Sequence, residues 1–312
     1  MSLKVGNLEA KEGEKKQGYL KIINTEVEVP CTIINGNEEG KTVSITGGTH
    51  GGEYPGIETA VRLAKELTPE TVNGKLIILH PCNLPAFHAK LQYIGPYDGK
   101  NLNREYPGLA TGTFSQKMAY TVTTELHDQS DFYIDLHGGD IHEALEPFVI
   151  YSEAGSDEVT KASKEAASLM GIKYVCGSDS TNGTFGSAAL KGVPSVLAEI
   201  GQCGLWSEEE VEKYIAGVKN ILRYLNVIQE EVKDLGEVVQ IHRMKGLNAG
   251  KTGLWYSKVV TNQEVKKNDK VGEIKDYFGN VLEEYFAPDD GVILYTVSSL
   301  AINEGDPIIA LG

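Results

Sequence analysis

Thr42-Val-Ser-Ile-Thr46-Gly47-Gly-Thr-His50-Gly-Gly-Glu53-Tyr-Pro55 joins a β-branched run to a glycine-rich turn and then to a proline. Proline suits the first turn of a helix, where its missing amide hydrogen is harmless, and Ile57, Ala60, Val61, Ala64 and Leu67 follow at the spacing of one helical face. The stretch therefore reads as strand, tight turn, helix. The same alternation continues along the chain. Apolar runs at Leu76–Leu79, Phe132–Leu136, Phe148–Tyr151, Tyr174–Cys176 and Val193–Ala198 read as strands. Helical patterns cover about residues 115–129, 156–170 and 207–230, and Ser207 followed by Glu208, Glu209 and Glu210 makes a capping-box start with acids where the helix dipole favours them. Such alternation predicts an α/β fold, a three-layer sandwich with a mostly parallel central sheet.

After about Gly236 the texture changes. Helical periodicity stops, and short alternating segments lie between turn formers such as Lys267-Asn-Asp-Lys270, Phe278-Gly-Asn280 and Asn303-Glu-Gly-Asp306. Glu264–Ile274 and Leu300–Ile309 echo each other as strand, tight turn, strand. This tail is expected to be an all-β module of barrel-sandwich type, which it resembles as found in lipoyl and biotinyl domains. It lacks their modified lysine, since Met244-Lys245 precedes the repeats. The chain thus divides on paper into a catalytic unit, 1–235, and a β-rich unit, 236–312, with a structural or capping role.

Composition narrows the partners. At 312 residues the chain exceeds one core of average size, and its formal net charge is −15. Nucleic acid or an anionic membrane would be repelled, because the basic residues form no cluster. The amino terminus has no apolar secretory core and no stretch reaches spanning length, which predicts a cytoplasmic protein. Cys31, Cys82, Cys176 and Cys203 are scattered, so reduced thiols are expected, and a metal knuckle or disulfide framework is not.

In open α/β sheets ligands gather beyond the carboxyl ends of the strands, where the chemistry-bearing residues of this chain lie. His50 and Glu53 follow one strand-like run, His137 ends a second and Glu199 a third. Two imidazoles and a carboxylate suit a borderline ion such as zinc and leave one position for water or substrate. The plainer readings are a strand-to-helix loop with His50 a passenger, and a hydrogen-bonded core histidine at 137. A phosphate-cradling reading lacks the Gly-Lys-Ser/Thr ending. Asp135 shares the face of His137 on an ideal strand and is a candidate support for the site. Glu199 ends an apolar run that a charge normally avoids, so it is either paired or a general acid–base. Asn103 and Arg104, an amide beside a planar guanidinium, suit two-point capture of a substrate carboxylate.

Taken together, His50-x-x-Glu53, Asn101-Leu-Asn103-Arg104-x-Tyr-Pro-Gly108, Asp135-Leu-His137-Gly-Gly and Glu199-Ile-Gly resemble the succinylglutamate desuccinylase and aspartoacylase family of the zinc carboxypeptidase clan. The resemblance spans nearly the whole chain. It implies one zinc ion held by His50, Glu53 and His137, proton handling by Glu199, a substrate carboxylate oriented by Asn103 and Arg104, and self-association as a homo-oligomer. Members often carry a further arginine upstream of the Asn-Leu-Asn-Arg segment; here His88-Ala-Lys90-Leu-Gln92-Tyr93-Ile-Gly-Pro96 has none, and Lys90, Gln92 and Tyr93 are the polar substitutes. The expected activity is zinc-dependent hydrolysis of the amide of an N-acyl amino acid or related small acylated amine. The alternatives are a zinc carboxypeptidase acting on peptides and a non-catalytic zinc-dependent binding protein.

Overall fold

Strand Phe132–His137, buried along its whole length, is the middle member of a nine-stranded sheet in the computed structural model, which describes residues 2–312. The sheet order is Val239–Ile241, Tyr174–Ser178, Phe148–Ser152, Ser195–Glu199, Phe132–His137, Glu38–Gly47, Asn73–Leu79, Glu28–Asn35 and Glu14–Lys21. Unbroken apolar sequence is what a strand covered on both faces requires. Helices Tyr54–Glu66, Asp157–Ala167 and Glu208–Tyr224 pack on one face, where Leu63, Ala166, Tyr214 and Val218 join Val43, Ile45 and Ile134 in a single core. Helix Phe114–Glu125 covers part of the other face, setting Met118, Ala119 and Val122 against Ile33, Ile77 and Leu79.

The sheet is mixed, and this qualifies the expectation of a mostly parallel one. Phe132–His137 runs parallel to both neighbours, but Ser195–Glu199 is antiparallel to Phe148–Ser152, and Glu28–Asn35 is antiparallel to both strands beside it. The outermost of these, Glu14–Lys21, carries lysines and glutamate on an exposed edge, and such polarity blocks further pairing. Helix Glu208–Tyr224 also ends earlier than the expected 230, because Asn226 adopts φ +58 and turns the chain back. Leu225, Val227 and Ile228 then bury themselves in the core as irregular chain.

The tail forms two antiparallel sheets that do not close into a barrel. One has the order Lys245–Asn248, Pro307–Leu311, Gly291–Val297, Glu264–Val265, and the other Val281–Phe286, Lys270–Lys275, Gly253–Ser257, Ala301–Ile302. They enclose a core of Trp255, Val271, Ile274, Ile293 and Ile309. The short strand Glu143–Leu145, which leaves the large sheet soon after His137, pairs antiparallel with Gly291–Val297. That pairing ties the tail to the rim of the large sheet. No helix among the described residues is long and apolar enough to cross a membrane.

Candidate metal centre

The turn after Glu38–Gly47 is the first component of the site. Gly48 has φ +80, and a Cβ on Gly52 would stand 2.0 Å from Asp140 Oδ1, so side chains are excluded where the loop doubles back. This places His50 and Glu53 on the same side. Glu53 occupies the N-cap position of helix Tyr54–Glu66 but makes no capping hydrogen bond, and its carboxylate faces the two histidines. One ligand-type atom from each of His50, Glu53 and His137 lies within 4.8 Å of the other two.

Both imidazoles are oriented from behind. Nε2 of His137 lies 2.9 Å from Asp135 Oδ2, and Nε2 of His50 lies 3.0 Å from Asn101 Oδ1. An acceptor at each Nε2 holds a ring proton there and turns the Nδ1 atom the other way. Those Nδ1 atoms face Glu53, at 2.5 Å from Oε1 for His50 and 2.9 Å from Oε2 for His137. Glu53 Oε2 nevertheless has no hydrogen bond among the described residues. Two imidazole nitrogens and a buried carboxylate oxygen lacking a donor form a donor set that a zinc-like cation would satisfy. Asp135 is fully buried and anchored by the hydroxyls of Thr46 at 2.6 Å, Thr49 at 3.2 Å and Thr184. Burial disfavours the ionised form of Asp135, but His137 and these hydroxyls outweigh it and hold its pKa below the ordinary value. Burial likewise opposes the charged form of His137, and the carboxylates of Asp135 and Glu53 override it and raise its pKa.

A cavity of about 420 Å³ opens in front of this cluster. Glu199 lines it from the next strand, in register with His137, and its Oε2 is buried without a hydrogen-bond partner among the described residues. Burial first, then the neighbouring carboxylates Glu53 and Glu143, push its pKa well above the usual carboxylate range. Asn103 and Arg104 also line the cavity. Asn103 Oδ1 accepts from the Thr184 amide at 2.9 Å, which leaves its amide nitrogen to the cavity, while Arg104 is exposed and forms no ion pair among the described residues. The structure thus gathers all six sequence-predicted site residues around one space.

Of the substitutes for the upstream arginine, Tyr93 lines the cavity; Lys90 belongs to a separate surface depression with Trp206, and Gln92 lies outside both. Sequence reasoning gave no role to Asn101, Thr184, Glu143 or Tyr295, all of which border or support the site. Asn101 was within reach, since it opens the Asn-Leu-Asn-Arg motif. Glu143 and Tyr295 had no signal, because they meet only through the pairing of Glu143–Leu145 with the tail. Met244, Tyr295, Pro307 and Ala310 bring the tail into the cavity wall. Cys31, Cys82 and Cys176 are buried free thiols, and Cys203 is half-buried.

Residues 39–225 match the succinylglutamate desuccinylase/aspartoacylase catalytic domain. An N-alpha-acetyl-L-2,4-diaminobutyric acid deacetylase from Halomonas elongata is 29% identical, with 95% of this chain and 91% of that protein covered. The product-bound ectoine utilization protein EutE (DoeB) from Ruegeria pomeroyi superposes with a TM-score of 0.86 at 25% identity, covering 96% of this chain and 95% of the other. A succinylglutamate desuccinylase/aspartoacylase from Rhodobacter sphaeroides gives a TM-score of 0.84 at 25% identity, over 95% of this chain and 94% of the other.

Proposed function

The chain belongs to the succinylglutamate desuccinylase/aspartoacylase family, and from that premise we propose that it is a zinc-dependent deacylase hydrolysing the amide of an N-acyl amino acid. The observation that carries the reading is the convergence of His50, Glu53 and His137 in front of a cavity that Glu199 also lines. In this reading the three residues hold the ion, which when bound acidifies water and polarises the amide carbonyl. Glu199 takes the proton of the attacking water on its carboxylate and delivers it to the departing amine nitrogen. A carboxylate with an elevated pKa and no structural partner is suited to carry that proton between the two steps.

Arg104 and the amide of Asn103 orient the substrate carboxylate, so that binding energy away from the scissile bond fixes its position. Tail residues Met244, Tyr295, Pro307 and Ala310 form part of the cavity wall, and in this reading they restrict substrate length, which favours a small acylated amino acid over a peptide. The deacetylase relative in Halomonas elongata supports the same substrate class.

The test is hydrolysis of a panel of N-acetyl and N-succinyl amino acids by zinc-loaded protein, alongside peptides of increasing length. Glu199→Gln should lower kcat by at least about 100-fold while retaining wild-type zinc content, the scale expected of a general acid–base. Wild-type turnover by that variant would remove Glu199 from the proton path.

A further inference from the structure

Glu199 Oε2 is buried without a hydrogen bond among the described residues, so the aim of this carboxylate depends on the backbone that carries it. Strands Ser195–Glu199 and Phe132–His137 pair in parallel register up to Glu199 opposite His137. The next step of the ladder, from the Ile200 amide to the His137 carbonyl, is stretched to 3.5 Å. Ordinary bonding then resumes from the Gly139 amide to the Gly201 carbonyl at 2.8 Å. The loose step thus falls directly beyond His137 and Glu199, the two residues of this strand pair that the proposed reaction uses.

The Tyr214 hydroxyl occupies that step. It accepts from the Ile200 amide at 2.9 Å, and it lies 2.6 Å from the His137 carbonyl oxygen and 2.7 Å from that of Ala198, which share its one proton. The Ala198 carbonyl and the Ile200 amide belong to the two peptide units that flank the Glu199 Cα, and each unit is planar, so holding one atom orients the whole plane. The His137 carbonyl belongs to the unit that follows a proposed metal ligand. Tyr214 is itself fully buried on helix Glu208–Tyr224, packed in the core with Val218 and Ile221. A core tyrosine needs one partner for its hydroxyl, and three backbone partners at an opened ladder step exceed that need. Without this oxygen the Ile200 amide would bond the His137 carbonyl directly, and the strands would draw together toward the ordinary separation of about 2.9 Å.

We propose that Tyr214 is a positioning residue, whose hydroxyl fixes the separation of Glu199 from His137 and so aims the acid–base carboxylate between the attacking water and the departing amine. The proposal rests on the deacylase reading for the role of Glu199. It adds that the geometry of that role is set from a helix no residue of which lines the cavity.

Tyr214→Phe removes the oxygen and keeps the ring. In zinc-loaded protein, on an N-acyl amino acid that wild type hydrolyses, it is expected to lower kcat by on the order of 10- to 100-fold, the scale of a small misplacement, with KM within about twofold. In the Glu199→Gln background the same change should cost less than about twofold, because no carboxylate is left to aim. Equal losses in the two backgrounds, which a merely structural tyrosine would give, or no loss from Tyr214→Phe alone, overturn the proposal. Cobalt-loaded protein gives a second readout that requires no turnover. Glu199→Gln should alter the visible absorption of the bound cobalt when Tyr214 is present and leave it unaltered in Tyr214→Phe; the same change in both, or in neither, overturns the proposal. If wild type hydrolyses no N-acyl amino acid, the deacylase reading fails, and the cobalt spectra alone decide whether Tyr214 sets Glu199 against the ion. Melting curves verify the folded state of the variants. Should Tyr214→Phe not fold, a ring-fluorinated tyrosine at position 214, which keeps the hydroxyl and weakens it as an acceptor, takes its place and should give a smaller loss of the same pattern.

Discussion

Residue scale decides which buried polar groups are held and which are left waiting. Asp135 accepts from three hydroxyls and contacts His137, so its ionised form is fully occupied. His127 is the contrasting case. It is buried between Tyr106, stacked at 6.0 Å, and Tyr133, at 4.5 Å, and neither ring nitrogen has a hydrogen-bond partner among the described residues. Burial drives its pKa down to about 4, so the folded protein keeps it neutral. An unfolded chain protonates histidine near pH 6.5, hence between about pH 6.5 and 4 the unfolded state binds the extra proton and stability falls as pH falls. The full shift corresponds to roughly 3 kcal/mol, lost progressively across that window. His127→Phe should lose less stability than wild type between pH 7 and pH 4.5 in urea unfolding. Parallel pH profiles for the two proteins would show that His127 is not the titrating group.

Among the elements, helix Tyr54–Glu66 is the one that sets the site, because Glu53 is the residue on which it starts. Its first turn presses on strand Phe132–His137: a Cβ on Gly56 would meet the Leu136 carbonyl oxygen at 2.5 Å. In an exposed helix, replacing glycine by alanine stabilises by up to about 1 kcal/mol through propensity. Here the added methyl has backbone in its way, and overpacking costs typically 1–3 kcal/mol, so the sign reverses. Gly56→Ala should lower the urea midpoint and weaken zinc retention, as the helix and Glu53 shift away from His137. A midpoint above that of wild type would mean the turn has room.

Elements also differ in how far the sequence revealed them. The central strands were legible because two covered faces demand unbroken apolar runs, and the Ser207 cap because its side chain accepts from the Glu210 amide at 3.3 Å, as the Ser-Glu-Glu-Glu pattern implies. Helix Thr184–Leu190, with Gly183 at its cap and Gly186 within it, has neither length nor periodicity to announce itself. Yet its Thr184 supports both Asp135 and Asn103. Strand Glu143–Leu145 is three residues long, too short for any pattern.

For the whole molecule, the drawing of His50 and Glu53 from a loop and His137 from a separate central strand means that the proposed metal centre exists only in the folded chain. Zinc should therefore stabilise by mass action, by about 2.7 kcal/mol at a free concentration roughly 100 times Kd. Melting curves of zinc-loaded and chelator-treated protein should differ by on the order of 5 °C. Coincident curves would show that the cluster does not hold zinc in the native state.

By itself the sequence determined the alternation of strands and helices, the acidic balance, and the identities of His50, Glu53, His137, Glu199, Asn103 and Arg104, because periodicity and local motifs are properties of neighbours along the chain. Tertiary structure alone decided that Asn101 and Asp135 turn the two imidazoles toward Glu53, that Tyr93 and not Lys90 reaches the cavity, and that the tail's Tyr295 stands at the same wall as Glu143. Those relations depend on strand pairing between segments about 150 residues apart, and no pattern within either segment encodes the register that joins them.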